Sequence, residues 1–558
     1  MPASPSAPAA AAPSTPAVYR VGTLKYTAGG LVALFAWMLW GDFCWTMMES
    51  IVPSIMPLKL RSLESTNALI GFIMVSLHAG LNIGVTPMLS FKSDRHRGPL
   101  GRRTPFILYT APFVALTMVL IGFSDPIGRW VSHTFLGGNA LQEGKVIIFL
   151  IAVFAAAFEF FNMFVNTVYW YLFNDVVPAQ YMGRFMSWFR LVGIIAGFFY
   201  NFFIFPMAMS HMREIYLGGA LIYFVGFGIV CLRVREGQYP PPPDSGKDRS
   251  LIDQIKVYAR ECYAIRYYWD INLGYAFTAM SGCIGWANVF LLQSLGLDLN
   301  LIGKAGALGM ITVPLCLLFT GALVDRWHAV RVAAYLSAYG AFFALAGWVW
   351  LFIDKPPPLL YFWITVGGAV FSAVFSAMNG MIEIPRLVAL FPRERFGQFS
   401  GAIALCRGPA GIIGGVLAGA FVDLWLHVFP KATHGLYAYR FIFLWSGPIA
   451  ILSFYFQYRT FRAWKRLGGE KSFTPPTQGF SLRQLPPRPD DPGRVNWGLI
   501  LAISIAFTGT VLGGLAWWGY YHFFVPDSRN ATVFLIALGV NVLLFLGYLR
   551  FVKHMERP

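Results

Sequence analysis

A chain of 558 residues in which 57% are hydrophobic and only 12% charged, with a mean hydropathy of +0.58, is too apolar for an ordinary soluble domain. Its formal net charge of +17 does not point to nucleic acid, because the Lys and Arg residues fall in short loops between apolar spans and not on one soluble face. The sequence has no GxxxxGKS phosphate loop, no CxxC pair among its six cysteines and no zinc-ligand spacing, and no polar region is long enough for an enzymatic domain. ATP-driven pumping, a bound metal or cofactor, and an enzyme are therefore disfavoured.

The pattern predicts an all-α polytopic membrane protein with about fourteen spans. Residues 1–28 open with MPASPSAPAAAAPSTP, which has neither the basic start nor the apolar core of a signal peptide, and are expected to form a disordered cytoplasmic tail. Six spans follow at approximately 29–57, 67–90, 104–124, 146–173, 183–205 and 213–234, giving a first bundle over 29–235. A linker at 236–267 contains the proline-rich REGQYPPPPDSGKDRS and an amphipathic LIDQIKVYAREC suited to the membrane surface. Six more spans at approximately 268–293, 301–324, 331–353, 359–385, 397–426 and 437–459 make a second bundle over 268–460. A Pro- and Arg-rich linker at 461–495 then leads to a two-helix hairpin within 496–558, with spans near 496–520 and 531–552. Most of the basic loop residues lie on one side if both termini are cytoplasmic, which places the chain in a plasma or bacterial inner membrane.

The bundles look alike in sequence. GRFMSWFRLVGIIAG in the fifth span and GQFSGAIALCRGPAGIIGG in the eleventh share a Gly-polar-Phe start, an Arg (Arg190 and Arg407) and a GIIxG close. Repeated bundles that rock about a central site are a common transporter plan.

The most specific motif is the loop SDRHRGPLGRRTPF after the second span, with GALVDRWHAVR after the eighth. An Asp ending one helix and Arg residues starting the next can form charge-assisted hydrogen bonds that latch one conformation. Asp94, Arg95, Arg102, Arg103, Asp175 and Arg184 are the candidates in the first bundle, and Asp325, Arg326, Arg331, Glu383 and Arg386 in the second. This loop resembles the signature of the major facilitator superfamily, and its SDR, GRR and PF elements resemble the branch that holds glycoside, pentoside and hexuronide symporters and plant sucrose carriers. The resemblance covers twelve of the fourteen expected spans. It departs at Ser90, where that family usually has Gly; Gly321 keeps the pattern in the second half.

In the fourth span, EFFNMFVNTVYWYLFND puts Glu159, Asn162, Asn166 and Tyr169 or Trp170 on one helix face. Sucrose carriers have an acid, an amide three residues on and an Asp sixteen on; Glu159, Asn162 and Asp175 are similar, with Glu in place of Asp. A carboxylate within the bilayer must be paired, protonated or open to water. Arg190 is the expected partner of Glu159, and the pair would act as a proton-linked switch, or else as a static helix clamp.

In the first span, Asp42, Trp45 and Glu49 share a face, and the GDF context of Asp42 resembles the sugar-binding acid of melibiose carriers. Asp42 is therefore a second candidate for coupling and for sugar binding, while Glu49, nearer the outer end, could simply meet solvent. His78 and Asn82 in span two, and Asn272, Tyr275, Thr278 and Trp286 in span seven, are further candidates for the cavity wall.

The resemblance implies a proton-coupled symporter of a disaccharide or other glycoside, with sodium as the alternative ion and no cofactor. The expected partners are a small sugar and the lipid bilayer, with no nucleic acid, and the expected state is a monomer. Other cargoes (a peptide, muropeptide or organic anion) and a non-transporting solute sensor are the competing readings.

Overall fold

The computed structural model describes residues 19–137, 139–238, 262–352, 358–392, 395–429, 439–476 and 530–555. Among them, ten helices are long and apolar enough to cross a membrane. They include α1 (Ala28–Ser62), α2 (Asn67–Arg95), α3 (Thr104–Gly122), α5 (Ala140–Val176), α6 (Met182–Phe199, continued by irregular turns to Met207) and α7 (Met212–Arg233). A short α4 (Ser124–Phe135) stands between α3 and α5. The second half has α8 (Arg266–Gly282) and α9 (Asn288–Ser294), which together form one broken span, then α10 (Leu299–Arg326), α11 (Ala329–Ala344), α12 (Pro358–Leu390), α13 (Phe396–Val428) and α14 (Ile442–Arg466). After a four-residue α15 (Gly469–Ser472) comes α16 (Asn530–Met555). The chain is thus an all-α, multi-pass membrane fold.

Spanning helices satisfy every backbone N–H and C=O internally, which hydrocarbon requires. Two of them, α1 and α2, are capped by hydroxyls: Thr27 accepts from the Gly30 N–H at 3.2 Å, and Thr66 from the Leu69 N–H at 3.3 Å. In the first bundle α3 packs along α5 and α7; in the second α8 packs along α13 and α14, and α10 along α12.

Several boundaries differ from expectation. Residues 19–26 are not disordered: Tyr19–Val21 (β1) and Leu24–Tyr26 (β2) pair antiparallel. Gly22, at φ +55°, makes their turn, and Tyr19 packs edge-on against Tyr181 at 5.3 Å. The Thr23 hydroxyl accepts the Gln238 N–H at 2.8 Å, which ties the hairpin to the end of the first bundle. Helix α14 runs on to Arg466, and α15 follows, so the region from 461 begins as ordered helix. The amphipathic segment up to residue 261 and the first hairpin helix near 496–520 lie outside the described residues. The second hairpin helix, α16, packs on α11, where Tyr548 is fully buried against Tyr339 and Phe342.

Among the described residues, the two bundles share a core at one end. At the end away from the α2–α3 loop, the far end, buried residues of both bundles, among them Ile70, Phe205, Phe290 and Tyr439, form a single core. At the end that carries that loop, the basic end, the second bundle has a core of its own, around Tyr268, Tyr335 and Trp464.

Candidate functional site

Three polar constellations lie along the boundary between the bundles. The first is on the cavity wall of the first bundle. Glu159 and Asn162, one turn apart on α5, face α1 and α2. The Glu159 Oε2 lies 2.7 Å from His78 Nδ1, and the Asn162 amide donates to Glu49 Oε1 at 2.8 Å. The His78 side chain is 47% exposed and Glu159 20%. This corrects the expected Glu159–Arg190 pair. Arg190 sits on the exposed face of α6, and its charge acts on Asp42 of α1. The helices are close there, since a β-carbon on Gly193 would lie 3.6 Å from Asp42 Oδ2. Glu49 is also corrected: it is half-buried and bonded to Asn162. Three polar atoms on this wall are buried with no hydrogen-bond partner: Asp42 Oδ2, Trp45 Nε1 and Asn162 Oδ1. Such buried, unpartnered atoms are costly.

Not every residue of the expected face lines this wall. Tyr169 is 2% exposed and donates its hydroxyl to the Met38 carbonyl, inside the α1–α5–α7 core. Trp170 packs among Phe173 and Phe189, with ring centroids 5.5 and 5.2 Å away. Both are structural, because α5 turns its aromatic end into the bundle. Asn166 is half-buried one turn beyond Asn162, and Asn82 is exposed on α2, accepting the Thr86 hydroxyl at 2.6 Å.

The second constellation is in the other bundle. The Tyr275 ring lies under two guanidinium groups, Arg386 at 5.4 Å and Arg407 at 5.9 Å. Arg386 donates to Gln457 Oε1 at 3.1 Å, and Arg407 stands 3.9 Å from Glu383. Glu383 and Arg386 are therefore wall residues and not part of the latch: α12 points them across the bundle toward α8, α13 and α14. Gln457 also accepts the Ser337 hydroxyl and donates to Ser453 at 3.0 Å, and Ser453 meets the Thr278 hydroxyl at 2.7 Å. Asn272 is buried at 2% exposure. Gln457 and Ser453 escaped notice in the sequence because α14 offers no charge or motif there. A buried pair between Asp270 and Arg459, 3.2 Å apart, was missed for the opposite reason: each looks like an ordinary loop-proximal charge.

The third constellation is the latch at the basic end. Arg103 reaches Asp94 at 2.5 Å, Asp175 at 3.1 Å and the Ser93 hydroxyl at 2.6 Å, and Arg102 donates to Asp175 at 2.9 Å. Glu236, not anticipated, accepts the backbone N–H groups of Arg102 and Arg103, each at 2.9 Å, and of Thr104 at 2.6 Å, capping α3 with a carboxylate. Gly101, at φ +100°, makes room, since a β-carbon there would sit 2.6 Å from the Glu236 carboxyl carbon. Arg95 ends α2, while Arg184 is exposed with its guanidinium 5.8 Å from the Tyr181 ring, away from the latch. In the second bundle Arg331 pairs with Glu470 of α15 at 3.0 Å; the side chains of Asp325 and Arg326 lie outside those described.

At the far end the bundles are joined. Asp423, near the end of α13, accepts the Asn67 N–H at 3.1 Å, the Asn67 side-chain amide at 2.7 Å and the Ala68 N–H at 2.9 Å. Tyr439 donates to Asn67 Oδ1 at 3.2 Å, and Ser76 donates to the Ile412 carbonyl at 2.5 Å. Glycines let α2 and α13 approach backbone to backbone: a β-carbon on Gly71 would fall 2.1 Å from the Gly415 carbonyl oxygen. On the other side of the interface, α6 and its irregular extension pack on α10, where a β-carbon on Gly303 would fall 2.3 Å from the Asn201 carbonyl oxygen. Toward the basic end, Arg190 is exposed, and Arg407 and Glu383 are 50% and 46% exposed. Among the described residues, the polar and glycine contacts between the bundles gather at the far end.

No family model matches the chain. Its fold is similar to that of several solved transporters at low sequence identity. The nucleoside transporter NupG, in a point-mutant form, aligns with a TM-score of 0.53 at 14% identity, over 77% of this chain and 99% of NupG. A bacterial homologue of the human lysosomal transporter Spinster, inward-facing and occupied, aligns with 0.52 at 13% identity, over 77% and 96%. A bacterial homologue of the iron transporter ferroportin, inward-facing, aligns with 0.52 at 14% identity, over 77% and 99%. These likenesses show the fold alone, that of a polytopic helical transporter.

Proposed function

We propose that the protein is a secondary active transporter of the major facilitator type that carries a disaccharide or related glycoside with protons, by alternating access, as a monomer in a plasma or inner membrane with both termini cytoplasmic. On this topology the basic end is cytoplasmic, and the arrangement described is inward-open. One observation carries the reading: two carboxylates, an imidazole and an amide gathered within the membrane-spanning helices, as Glu159–His78 and Glu49–Asn162, with Asp42 Oδ2 and Asn162 Oδ1 buried and without a partner.

The chemistry follows from that wall. A proton shared between Glu159 and His78 is held where the cavity can deliver it. With Glu159 protonated, the wall presents neutral donors and acceptors beside the Trp45 indole, suited to sugar hydroxyls and an apolar sugar face. When the proton leaves, the pair carries one negative charge, the Glu159 carboxylate accepts a hydrogen bond from the ring N–H of a neutral His78, and the empty carrier returns in that state. The switch uses His78 where the sequence suggested Arg190. Sodium remains the alternative ion, bound by the same carboxylates.

Uptake of labelled sucrose into proteoliposomes tests this. Accumulation driven by a pH gradient in the wild type and absent in Glu159→Gln supports the reading; no sugar movement under a pH or sodium gradient, from folded protein, overturns it. A second reading, an organic anion as cargo, is favoured by Arg407, half exposed and only loosely engaged by Glu383 at 3.9 Å.

A further inference from the structure

The β-hairpin at the basic end has one face that takes no part in the proposed transport. Its strands pair Tyr19 with Tyr26, Arg20 with Lys25 and Val21 with Leu24. Side chains alternate across a strand, so Tyr19, Leu24 and Tyr26 pack on the core of the first bundle while Arg20 and Lys25 are exposed on the opposite face. Directly opposed residues have their β-carbons about 5 Å apart, and like charges so placed repel. A lone two-stranded hairpin has little stability of its own to offset that repulsion. Here the Tyr181 ring and the bond from Gln238 to Thr23 hold it in place. The two cations are thus fixed side by side, a fork for one anion held between them by charge-assisted hydrogen bonds.

The segment that the hairpin touches adds more positive charge. A β-carbon on Gly237 would lie 3.4 Å from Leu24 Cγ, and just before it Arg233 and Arg235 are exposed at the end of α7. Residues 19–30 contain no acid, and the one acid of 232–238, Glu236, is engaged by the N-terminus of α3. Among the described residues, none of these four cations is paired with a carboxylate.

The same place borders lipid. Val32, in the second turn of α1, and Leu232, in the last turn of α7, are 69% and 77% exposed, as apolar side chains facing a bilayer are. The Arg233 guanidinium lies 5.6 Å from the Trp37 ring, and an indole beside a cation suits the headgroup level of a membrane.

We propose that the exposed face of the hairpin, Arg20 and Lys25 with Arg233 and Arg235 beside them, binds the phosphate of an anionic phospholipid headgroup in the leaflet at the basic end. A free phosphate would meet the same charges, but the apolar surface of α1 and α7 directly below offers acyl chains a place that a free ion does not use. The site is separate from the latch, where Arg102 and Arg103 are engaged by Asp175 and Asp94, and it does not depend on the cargo.

The test titrates the full-length protein in detergent micelles with phosphatidylglycerol, phosphatidylcholine or inorganic phosphate and follows Tm, since a ligand of the folded state raises Tm with its concentration. Expected is a rise with phosphatidylglycerol alone. In the double variant Arg20→Gln with Lys25→Gln, the half-saturating phosphatidylglycerol concentration should climb roughly twenty-five-fold, about fivefold for each cation removed from an anionic lipid surface. Arg213→Gln, exposed at the far end, should titrate as the wild type does, and so should Arg20→Lys, which keeps the charge. Without lipid the double variant should melt with the wild type, because both side chains are exposed. An equal rise with phosphatidylcholine or with phosphate, an unchanged titration in the double variant, an equal loss in Arg213→Gln, or a double variant that no longer folds would each overturn the headgroup site and leave the transport reading standing.

Discussion

Glu159 of α5 and His78 of α2 are joined at 2.7 Å, while Arg190 of α6, the nearest cation by sequence logic, sits on the exposed face of its helix. Under the proposed function, the coupling acid has a titratable partner in place of a permanent cation. Glu159→Gln is expected to abolish accumulation driven by a pH gradient while keeping counterflow, because exchange needs no net proton movement. His78→Gln is expected to keep sugar binding but flatten the dependence of uptake on pH, which initial rates between about pH 5.5 and 8 would reveal.

The Arg103 guanidinium is held by Asp94, Asp175 and Ser93 and is 4% exposed overall. Removing it leaves Asp175, itself 10% exposed, with Arg102 as its remaining cation. Arg103→Ala should destabilise the purified protein by about 3 kcal/mol, the scale of a broken buried pair, seen as a lowered Tm in a thermal shift assay. Arg184→Ala, outside the latch, should leave Tm unchanged.

Asp423 holds the far end shut through three N–H groups of Asn67 and Ala68. Charge-assisted bonds of this kind are worth about 2 kcal/mol, so Asp423→Ala should shift the balance toward the open far end by roughly thirtyfold. Alkylation of a cysteine introduced at Asn288, by an impermeant maleimide added from that side, should speed up accordingly. An unchanged rate would show that the glycine contacts alone keep the end closed.

Those contacts make their own prediction. Gly71→Ala places a methyl group against the Gly415 carbonyl, and no flexible side chain is present to yield. The helices must separate, so transport should slow by roughly tenfold or more with normal expression, in line with the cost of overpacking a tight interface. Counterflow rates normalised to protein in the vesicles would measure it.

Much of the architecture was legible in the chain because bilayer thickness imposes span length and the hydrocarbon imposes apolar composition. The charged loop after α2 was legible because its Asp and Arg residues sit close in sequence, and Arg103 reaches Asp94 across only nine residues. The aromatic half of the α5 face misled: spacing puts Tyr169 on the same side as Glu159, but the tilt of α5 carries it into the α1–α7 core, where its hydroxyl meets Met38. The β-hairpin at Tyr19–Tyr26 was hidden in a polar tail, since its stability comes from Tyr181 and Gln238, neither of them local.

By itself, then, the sequence determined that the chain is an all-α, multi-pass membrane protein and supplied the acids in helices one and four, since both follow from local composition and the demands of lipid. Which acid meets which partner was decided by tertiary structure alone. Glu159 finds His78, Asn162 finds Glu49, and Asp423 finds Asn67 across 356 residues of separation, because helix rotation and tilt are set by packing of whole faces. In a membrane the apolar exterior resembles the apolar interior, so hydrophobic pattern alone cannot orient a helix; small-residue contacts such as Gly71 on Gly415 do.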